Sequence, residues 1–404
     1  METIPPVELE SIQELRDHLK GNGSLRGTVL QGLDLRNAEI EEALIAEPLR
    51  DCYFLGCRFS SRLYGHIRNS GGTIFPIFRD LPFDPYRSSL YSVSELNEGY
   101  ERGNPASMAR TRDSRIYRFF QRHSKAGRRT PILEALACRI HDHAIDNALL
   151  DLIDPPDSAE RRIVGVMGGH KLLRTDPGFL SVARIARTMT REGYFIATGG
   201  GPGAMEAGNL GAWLADRSER QLVGAIDLLR PEPSYVDPHY LDRALDVLDR
   251  FPTGRESLAV PTWFYGHEPS NLFSAHIAKY FANSIREDGL LAVATAGVVF
   301  SPGSAGTIQE IFQDAAQNHY GSMTVASPMV FLGVDYWSRS RPVYQLLMAL
   351  AEGKAYRGLI HITDDPEEAV DFILKHPPIP ANDDQTRTSD TGALWNTGRT
   401  DPKS

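Results

Sequence analysis

The sequence predicts an α/β protein with a Rossmann-like, doubly wound and mostly parallel sheet that carries helices on both faces, plus a smaller N-terminal region. From Arg162 onward, short apolar runs alternate with helical segments, which is typical of a parallel sheet covered on both sides. Two glycine clusters each follow such a run and precede a helix. The 404 residues, 41% of them hydrophobic, can bury a core of the size that this fold needs.

We expect the chain to divide into four segments. Residues 1–72 form the N-terminal region, 73–158 an irregular connector with helices and a basic segment, 159–376 a Rossmann-like domain, and 377–404 a polar, disordered tail. Within the Rossmann-like domain the predicted strands are 163–168, 194–198, 222–226, 258–264, 297–301, 329–333 and 359–363. The predicted helices include 203–215, 271–286 and 307–319.

Composition narrows the class of protein. Three cysteines, an odd and sparse set, argue against a secreted disulfide framework. The N-terminus carries acids and prolines where a signal peptide needs basic and apolar residues, and the longest apolar run falls short of the roughly 20 residues that cross a bilayer. We therefore expect a cytoplasmic protein with no membrane partner. The net charge of -9 also argues against nucleic acid as the partner.

Apolar residues recur every five positions in the N-terminal region. The series runs through Leu25, Leu30 and Leu35 and continues in a shifted frame to Tyr64. A period of five belongs to neither a helix nor a strand, and it resembles pentapeptide-repeat proteins, which implies a short square β-helix over residues 25–64. Irregular loops with short strands are the alternative.

Residues 110–129 are sharply basic in an acidic protein. They hold eight Lys and Arg residues against one acid, Asp113. This pattern predicts either a site for a phosphate-rich ligand or nucleic acid, or a solvated helix face whose charges pair with acids elsewhere.

A metal site is not expected around Cys138, His141 and His143. Residues two positions apart on a helix lie on roughly opposite faces, so the two histidines cannot share one ion. We expect neither a metal nor a cofactor.

The first glycine cluster, GGGPGAM over residues 199–205, offers backbone that can approach a ligand closely, and the helix after it begins with free N–H groups. A tight turn before a helix is the alternative. The residues predicted to contact a nucleotide here are Gly199, Gly200, Gly201, Gly203 and Met205. Gly168 and Gly169 end the first strand of the domain and are predicted to form another wall of the same pocket.

The second glycine cluster, PGSAGTIQE over residues 302–310, directly follows the apolar run GVVF. Its backbone amides lie at the positive end of the next helix and make a cradle for a phosphate. The residues predicted to form this cradle are Gly303, Ser304, Ala305, Gly306 and Thr307. No lysine follows the glycine as it does in a P-loop, which favours a nucleoside monophosphate as the ligand. Glu310 lies one turn further along the helix, where a carboxylate would reach the sugar.

Together these motifs resemble the Lonely Guy family and its larger bacterial relatives, the nucleotide 5'-monophosphate nucleosidases. Family members carry GGGxxGxM and PGGxGTxxE segments, which read GGGPGAM and PGSAGTIQE here, and the resemblance covers residues 162–375. It implies a phosphoribohydrolase that cleaves the N-glycosidic bond of a nucleoside 5'-monophosphate and releases a free base and ribose 5-phosphate. It also implies a homo-oligomer, a dimer or larger. For the basic segment, the larger relatives imply a polyphosphorylated nucleotide as effector.

The resemblance also implies the catalytic pair. In the family an arginine on the helix before the PGG strand works with the glutamate of that motif, and Arg286 and Glu310 match these positions here. Glu310 would hold the ribose and stabilise its positive charge, while Arg286 would bind the substrate. Ser304 replaces the family's second glycine, and Glu287 stands where compact members have lysine. A nucleotide-binding protein without hydrolysis, or a nucleic-acid-binding module, therefore stays as the alternative.

Overall fold

The structure is a computed structural model that describes residues 7–21, 23–124, 130–155, 159–266 and 268–380. The strands are β1 (Glu8–Leu9), β2 (Val29–Gln31), β3 (Tyr53–Leu55), β4 (Thr73–Phe75), β5 (Ile163–Met167), β6 (Phe195–Thr198), β7 (Leu258–Ala259), β8 (His276–Ile277), β9 (Gly297–Phe300), β10 (Val325–Ala326), β11 (Met329–Leu332), β12 (Ile360–Thr363) and β13 (Ile379–Pro380). The α-helices are α1 (Ile12–Lys20), α2 (Ala38–Ala46), α3 (Ser61–Asn69), α4 (Val93–Leu96), α5 (Arg112–Ser124), α6 (Ile132–Ile153), α7 (Pro177–Arg191), α8 (Ala204–Trp213), α9 (Glu219–Leu229), α10 (Tyr240–Arg250), α11 (Asn283–Val293), α12 (Ala305–Tyr320), α13 (Val343–Leu350) and α14 (Pro366–Lys375). Shorter helical turns are Pro105–Arg110, Tyr336–Ser340 and Ala355–Leu359.

The main sheet has seven parallel strands in the order β12-β11-β9-β5-β6-β7-β8. Strand β5 lies in the middle, and the chain fills one side of it with β6, β7 and β8 before returning to build the other side from β9 outward. The carboxyl ends of β5 and β9 therefore frame the crevice where an open α/β sheet binds its ligands.

Helices cover both faces of this sheet, so the predicted doubly wound α/β fold is confirmed. One apolar core packs α7, α8, α9, α10 and α14 against one face of the sheet. The other core packs α5, α6, α11, α12 and α13 against the opposite face. Both faces of β5 are buried, which explains why its sequence IVGVM is apolar throughout rather than alternating.

Two predicted elements of the Rossmann-like domain are wrong. Residues 222–226 lie inside helix α9 rather than in a strand, because Ser218 and Gln221 form a capping box that starts a helix there. Residues 271–286, predicted as one helix, contain strand β8 and only the first turn of α11. Strand pairing overrides helical periodicity there, since the amide of Ile277 donates to Tyr91 O and that of Ala278 to Ala259 O. Of the predicted strand 258–264, only Leu258–Ala259 joins the sheet.

The N-terminal region repeats a strand, a turn and a helix, so the expected pentapeptide β-helix is wrong. Strands β1 to β4 form a parallel sheet in sequence order, and α1, α2 and α3 connect them. Leu30 and Phe54 fill equivalent core positions, and Gly32 and Gly56 repeat with positive φ values of 69° and 63°. The apparent period of five arises because each repeat places core residues on its strand, its turn and its helix in turn.

The connector between the two sheets is helical. Helices α4, α5 and α6 pack against the main sheet and share its core. The basic segment forms α5 as far as residue 124, whereas its residues 125–129 lie outside the described part of the chain. Of the predicted tail, only residues 377–380 are described, and strand β13 within them pairs with β10. No helix among the described residues is long and apolar enough to cross a membrane.

Candidate functional site

A cavity of about 500 Å³ opens at the carboxyl ends of β5, β6 and β9. It is of the size that binds a small-molecule ligand. The predicted site residues that line it are Gly168, Gly169, Gly199, Gly200, Gly201, Met205, Arg286, Ser304, Ala305, Gly306, Thr307 and Glu310. Gly203 and Gly303 are not among the described residues that line the cavity, but they lie in the same two glycine clusters. The two glycine clusters, about a hundred positions apart in sequence, thus meet at one cavity.

The second glycine cluster forms the start of α12. The N–H groups of Ala305, Gly306 and Thr307 belong to the first turn, where no intrahelical acceptor exists, so they can bind an anion at the positive end of the helix. Ser304 has φ -103°, outside the left-handed region that favours glycine, so no positive φ requires glycine at this position. At Gly303 an added Cβ would overlap the side chain of Thr307, so glycine is required there.

Gly169 ties the three loops of the cavity together. Its N–H donates to the carbonyl of Pro302 at 3.0 Å, and its carbonyl accepts the N–H of Ala204 at 3.2 Å. Gly203 has φ +73°, and an added Cβ would overlap the carbonyl of Gly169. The loops after β5, β6 and β9 therefore hold one another at close approach, which only glycine permits.

Gly199 and Gly200, in the loop after β6, line another part of the cavity. A Cβ on Gly199 would lie 2.5 Å from Nη2 of Arg286, so the absence of a side chain there makes room for the guanidinium. Gly200 has φ +76° and accepts the backbone N–H of Asn271 at 2.9 Å. The side-chain amide of Asn271 also donates to the carbonyl of Gly201 at 3.3 Å. Asn271 thus fixes the glycine loop.

Arg286 and Glu310 form a buried ion pair inside the cavity. Nη1 of Arg286 donates to Oε1 of Glu310 at 3.2 Å, and its Nε donates to the carbonyl of Val260 at 2.7 Å. Arg286 lies in the first turn of α11, not near the end of a helix as the sequence predicts. Burial raises the pKa of Glu310, and the charge and hydrogen bond of Arg286 oppose that rise. A carboxylate with a raised pKa is a stronger proton acceptor than an ordinary one.

Sequence reasoning did not assign Tyr265, Lys279, Glu287 or Gln309 to the site, although all of them line the same cavity. Glu287 accepts the hydroxyl of Tyr265 at 3.3 Å and the side-chain amide of Gln309. Lys279 is buried, and its Nζ lies 2.8 Å from a carboxylate oxygen of Asp113, on α5. No sequence signal places these residues, because each contact joins distant segments of the chain.

Three arginines at the start of the basic segment pair with acids. Arg110 contacts Glu101 at 2.7 Å, and Arg112 contacts Glu98 at 2.7 Å. Arg115 also contacts Glu98, at 3.4 Å. These pairs favour the helix-face interpretation of residues 110–124 over a site for nucleic acid.

The histidines of α6 lie as their spacing predicts. His141 is fully buried and contacts Asp142 and Tyr91, whereas His143 is exposed. Within the described ranges, no group of three or more His, Cys, Asp or Glu residues could hold a metal ion.

Comparison with known proteins gives similarity at the level of fold. Neither the family models nor the curated proteins compared with the chain gave a match. Among solved structures, the molybdenum cofactor binding protein of the phototrophic bacterium Rippkaea orientalis is 16% identical over 54% of this chain and 98% of its own, with a TM-score of 0.33. The Moco carrier protein from Chlamydomonas reinhardtii is 14% identical over 54% of this chain and 99% of its own, with a TM-score of 0.32. Both similarities concern the fold alone.

Proposed function

We propose that this chain is a hydrolase that cleaves the N-glycosidic bond of a nucleoside 5'-monophosphate to a free base and ribose 5-phosphate. The observation that carries the proposal is the placement of a buried carboxyl group, Glu310, one helical turn beyond a set of free backbone N–H groups in a single cavity. Such a pair of features fits a ligand with a terminal phosphate and a sugar next to it.

The phosphate supplies binding and positioning. The N–H groups of Ala305, Gly306 and Thr307 would hold its oxygens, and the Thr307 hydroxyl would add a donor. The phosphate lies away from the bond that breaks, so its binding energy can orient the sugar against the catalytic groups. This explains why a nucleotide rather than a nucleoside is the proposed substrate.

The chemical step exchanges one bond at the anomeric carbon for another. The C1'–N bond breaks, its electron pair leaves with the base, and positive charge develops on the ribose. Glu310 stabilises that charge and takes a proton from the attacking water as the new C1'–O bond forms. The proton then passes to the departing nitrogen, so the products are the neutral base and ribose 5-phosphate. Arg286 keeps the Glu310 carboxylate in place and donates to the substrate.

The test is release of ribose 5-phosphate from each common nucleoside monophosphate. We expect turnover by the wild-type chain and a loss of at least about a hundredfold in kcat for Glu310→Gln. Arg286→Lys should also reduce kcat, because lysine lacks the second donor that reaches Val260. Glu352→Gln, an exposed glutamate, is the matched control and should behave as wild type. If no monophosphate yields ribose 5-phosphate, the proposal is wrong.

Nucleotide binding without hydrolysis is the second candidate. The observation in its favour is the ion pair itself, because Glu310 bonded to Arg286 is less free to accept a proton from water. Nucleotide binding measured by calorimetry, with no product after long incubation, would support this candidate over the first.

Homo-oligomer formation and a polyphosphorylated effector belong to the same proposal. Both follow from the family resemblance. Sedimentation of the purified chain tests the first, and turnover with and without the effector tests the second.

A further inference from the structure

The proposed reaction does not use Glu287, although its side chain faces the same cavity. Glu287 is only 3% exposed, and two neutral groups, the Tyr265 hydroxyl and the Gln309 amide, donate to its carboxylate. The Tyr265 oxygen accepts the side-chain amide of Asn283 at 2.9 Å, so its own proton is directed to Glu287. The orientation of this carboxylate is therefore fixed by its neighbours.

Glu287 retains unused acceptor capacity. A carboxylate offers about four lone-pair positions, and the two donors fill half of them. Nη1 of Arg286 is 4.0 Å from Oε1 of Glu287, too far for a hydrogen bond. A buried carboxylate that borders a cavity can accept further donors from a ligand or from water. One free position on each oxygen gives two acceptors side by side.

The place of Glu287 relative to the proposed substrate follows from α12. The phosphate would lie at residues 304–307 and the sugar beside Glu310, and Gln309, next to Glu310, contacts Glu287. Glu287 thus borders the cavity near the sugar position, where the base of a nucleotide would also lie. We propose that Glu287 selects the base and binds a base that presents two adjacent N–H donors. This inference rests on the proposed function.

Among common bases this pattern specifies guanine. Its N1–H and N2–H groups lie side by side on one edge and match the two oxygens of a carboxylate. Hypoxanthine offers N1–H alone. Adenine offers its N6 amino group beside the N1 lone pair, which a carboxylate oxygen would repel. The order of preference is therefore GMP, then IMP, then AMP.

The experiment measures kcat/KM for ribose 5-phosphate release from GMP, IMP and AMP. Wild type should prefer GMP over IMP by about tenfold or more, because one hydrogen bond to a charged group is lost. Glu287→Gln presents one acceptor and one donor, which matches adenine, so the GMP/AMP ratio should fall by about tenfold or more. Asp288→Asn is the matched control: it removes the same charge from the next, exposed residue of α11 and should keep the wild-type order.

The outcomes separate this inference from the proposed function. If wild type hydrolyses GMP and AMP equally well, or if Glu287→Gln leaves their ratio unchanged, Glu287 does not select the base while the hydrolase proposal stands. If wild type releases ribose 5-phosphate from another monophosphate but from none of these three, only the inference about Glu287 is overturned, whereas release from no monophosphate overturns both. Thermal unfolding shows whether the Glu287→Gln variant folds. If it does not fold, the substrate preference of the wild type among GMP, IMP and AMP still tests the inference.

Discussion

Replacing Gly199 by alanine tests whether the position of Arg286 controls activity. The added methyl group would lie 2.5 Å from Nη2 of Arg286 and 2.7 Å from Sδ of Met205. Gly199 is not among the glycines with positive φ in the described chain, so alanine can adopt its backbone conformation. The substitution therefore adds a steric contact and removes no side chain of the proposed catalytic pair.

The size of the effect follows from these distances. Atoms in normal contact are about 3.5–4.0 Å apart, so the guanidinium has to move by about 1 Å. Met205 can turn aside because its side chain is flexible. Arg286 cannot move without lengthening its hydrogen bonds to the Val260 carbonyl and the Glu310 carboxylate. A displacement of about 1 Å in a catalytic group costs roughly a hundredfold in rate, or about 2.7 kcal/mol.

The assay is kcat/KM for ribose 5-phosphate release, with thermal unfolding measured in parallel. Gly224→Ala is the matched control: it lies in α9, and no described atom comes within 4 Å of its added Cβ. We expect the control to match wild-type activity and to be slightly more stable, because alanine favours a helix. Activity of Gly199→Ala within about twofold of this control would refute the role assigned to the Arg286 position.

Two further predictions concern carboxyl groups behind the cavity. Asp142 accepts the backbone N–H groups of Phe281 and Ala282 at the start of α11. Asp142→Ala should therefore destabilise the chain by about 1–3 kcal/mol and lower kcat. Asp142→Asn should be intermediate in both measurements, thermal unfolding and turnover. Burial raises the pKa of Asp314 to about 8, whereas the carboxyl group of the unfolded chain has a pKa near 3.8. The unfolded chain therefore binds fewer protons between these two pH values. The free energy of unfolding should fall as the pH rises from about 3.8 to about 8. Urea unfolding of Asp314→Asn at about pH 5 and about pH 8 should lack that decrease, and an unchanged pH dependence would contradict the reasoning.

The sequence predicted best the elements whose signals are local. The glycine clusters after β6 and β9 were found because each follows an apolar run and precedes a helix, and both line the cavity. The helix at 222–226 was mistaken for a strand because a short apolar run fits both structures. The local signal that separates them, Ser218 followed three residues later by Gln221, is a capping box.

The errors at 271–286 and in the N-terminal region have a different origin. Residues 276–277 pair with β7 only because the rest of the sheet is already present, so no local pattern shows that they form β8. In the N-terminal region the core residues come from strands, turns and helices together, and their spacing imitates a period of five. Tertiary contacts decide both cases, and a single sequence does not contain them explicitly.

The candidate site also depends on chain outside the Rossmann-like unit. Asp113 on α5 holds Lys279 at the cavity, and Asp142 on α6 holds the start of the helix that carries Arg286. Asp113 and Lys279 are both almost fully buried, and removing one partner of a buried ion pair typically costs about 3–5 kcal/mol. The connector helices therefore support the cavity wall. Their residues Asp113 and Asp142 lie more than a hundred positions before the residues that they contact, Lys279 and Ala282. This explains the single acid in a basic segment that resembles a binding surface, because Asp113 faces inward and contacts Lys279. Arg110 and Arg112 of the same segment pair instead with Glu101 and Glu98.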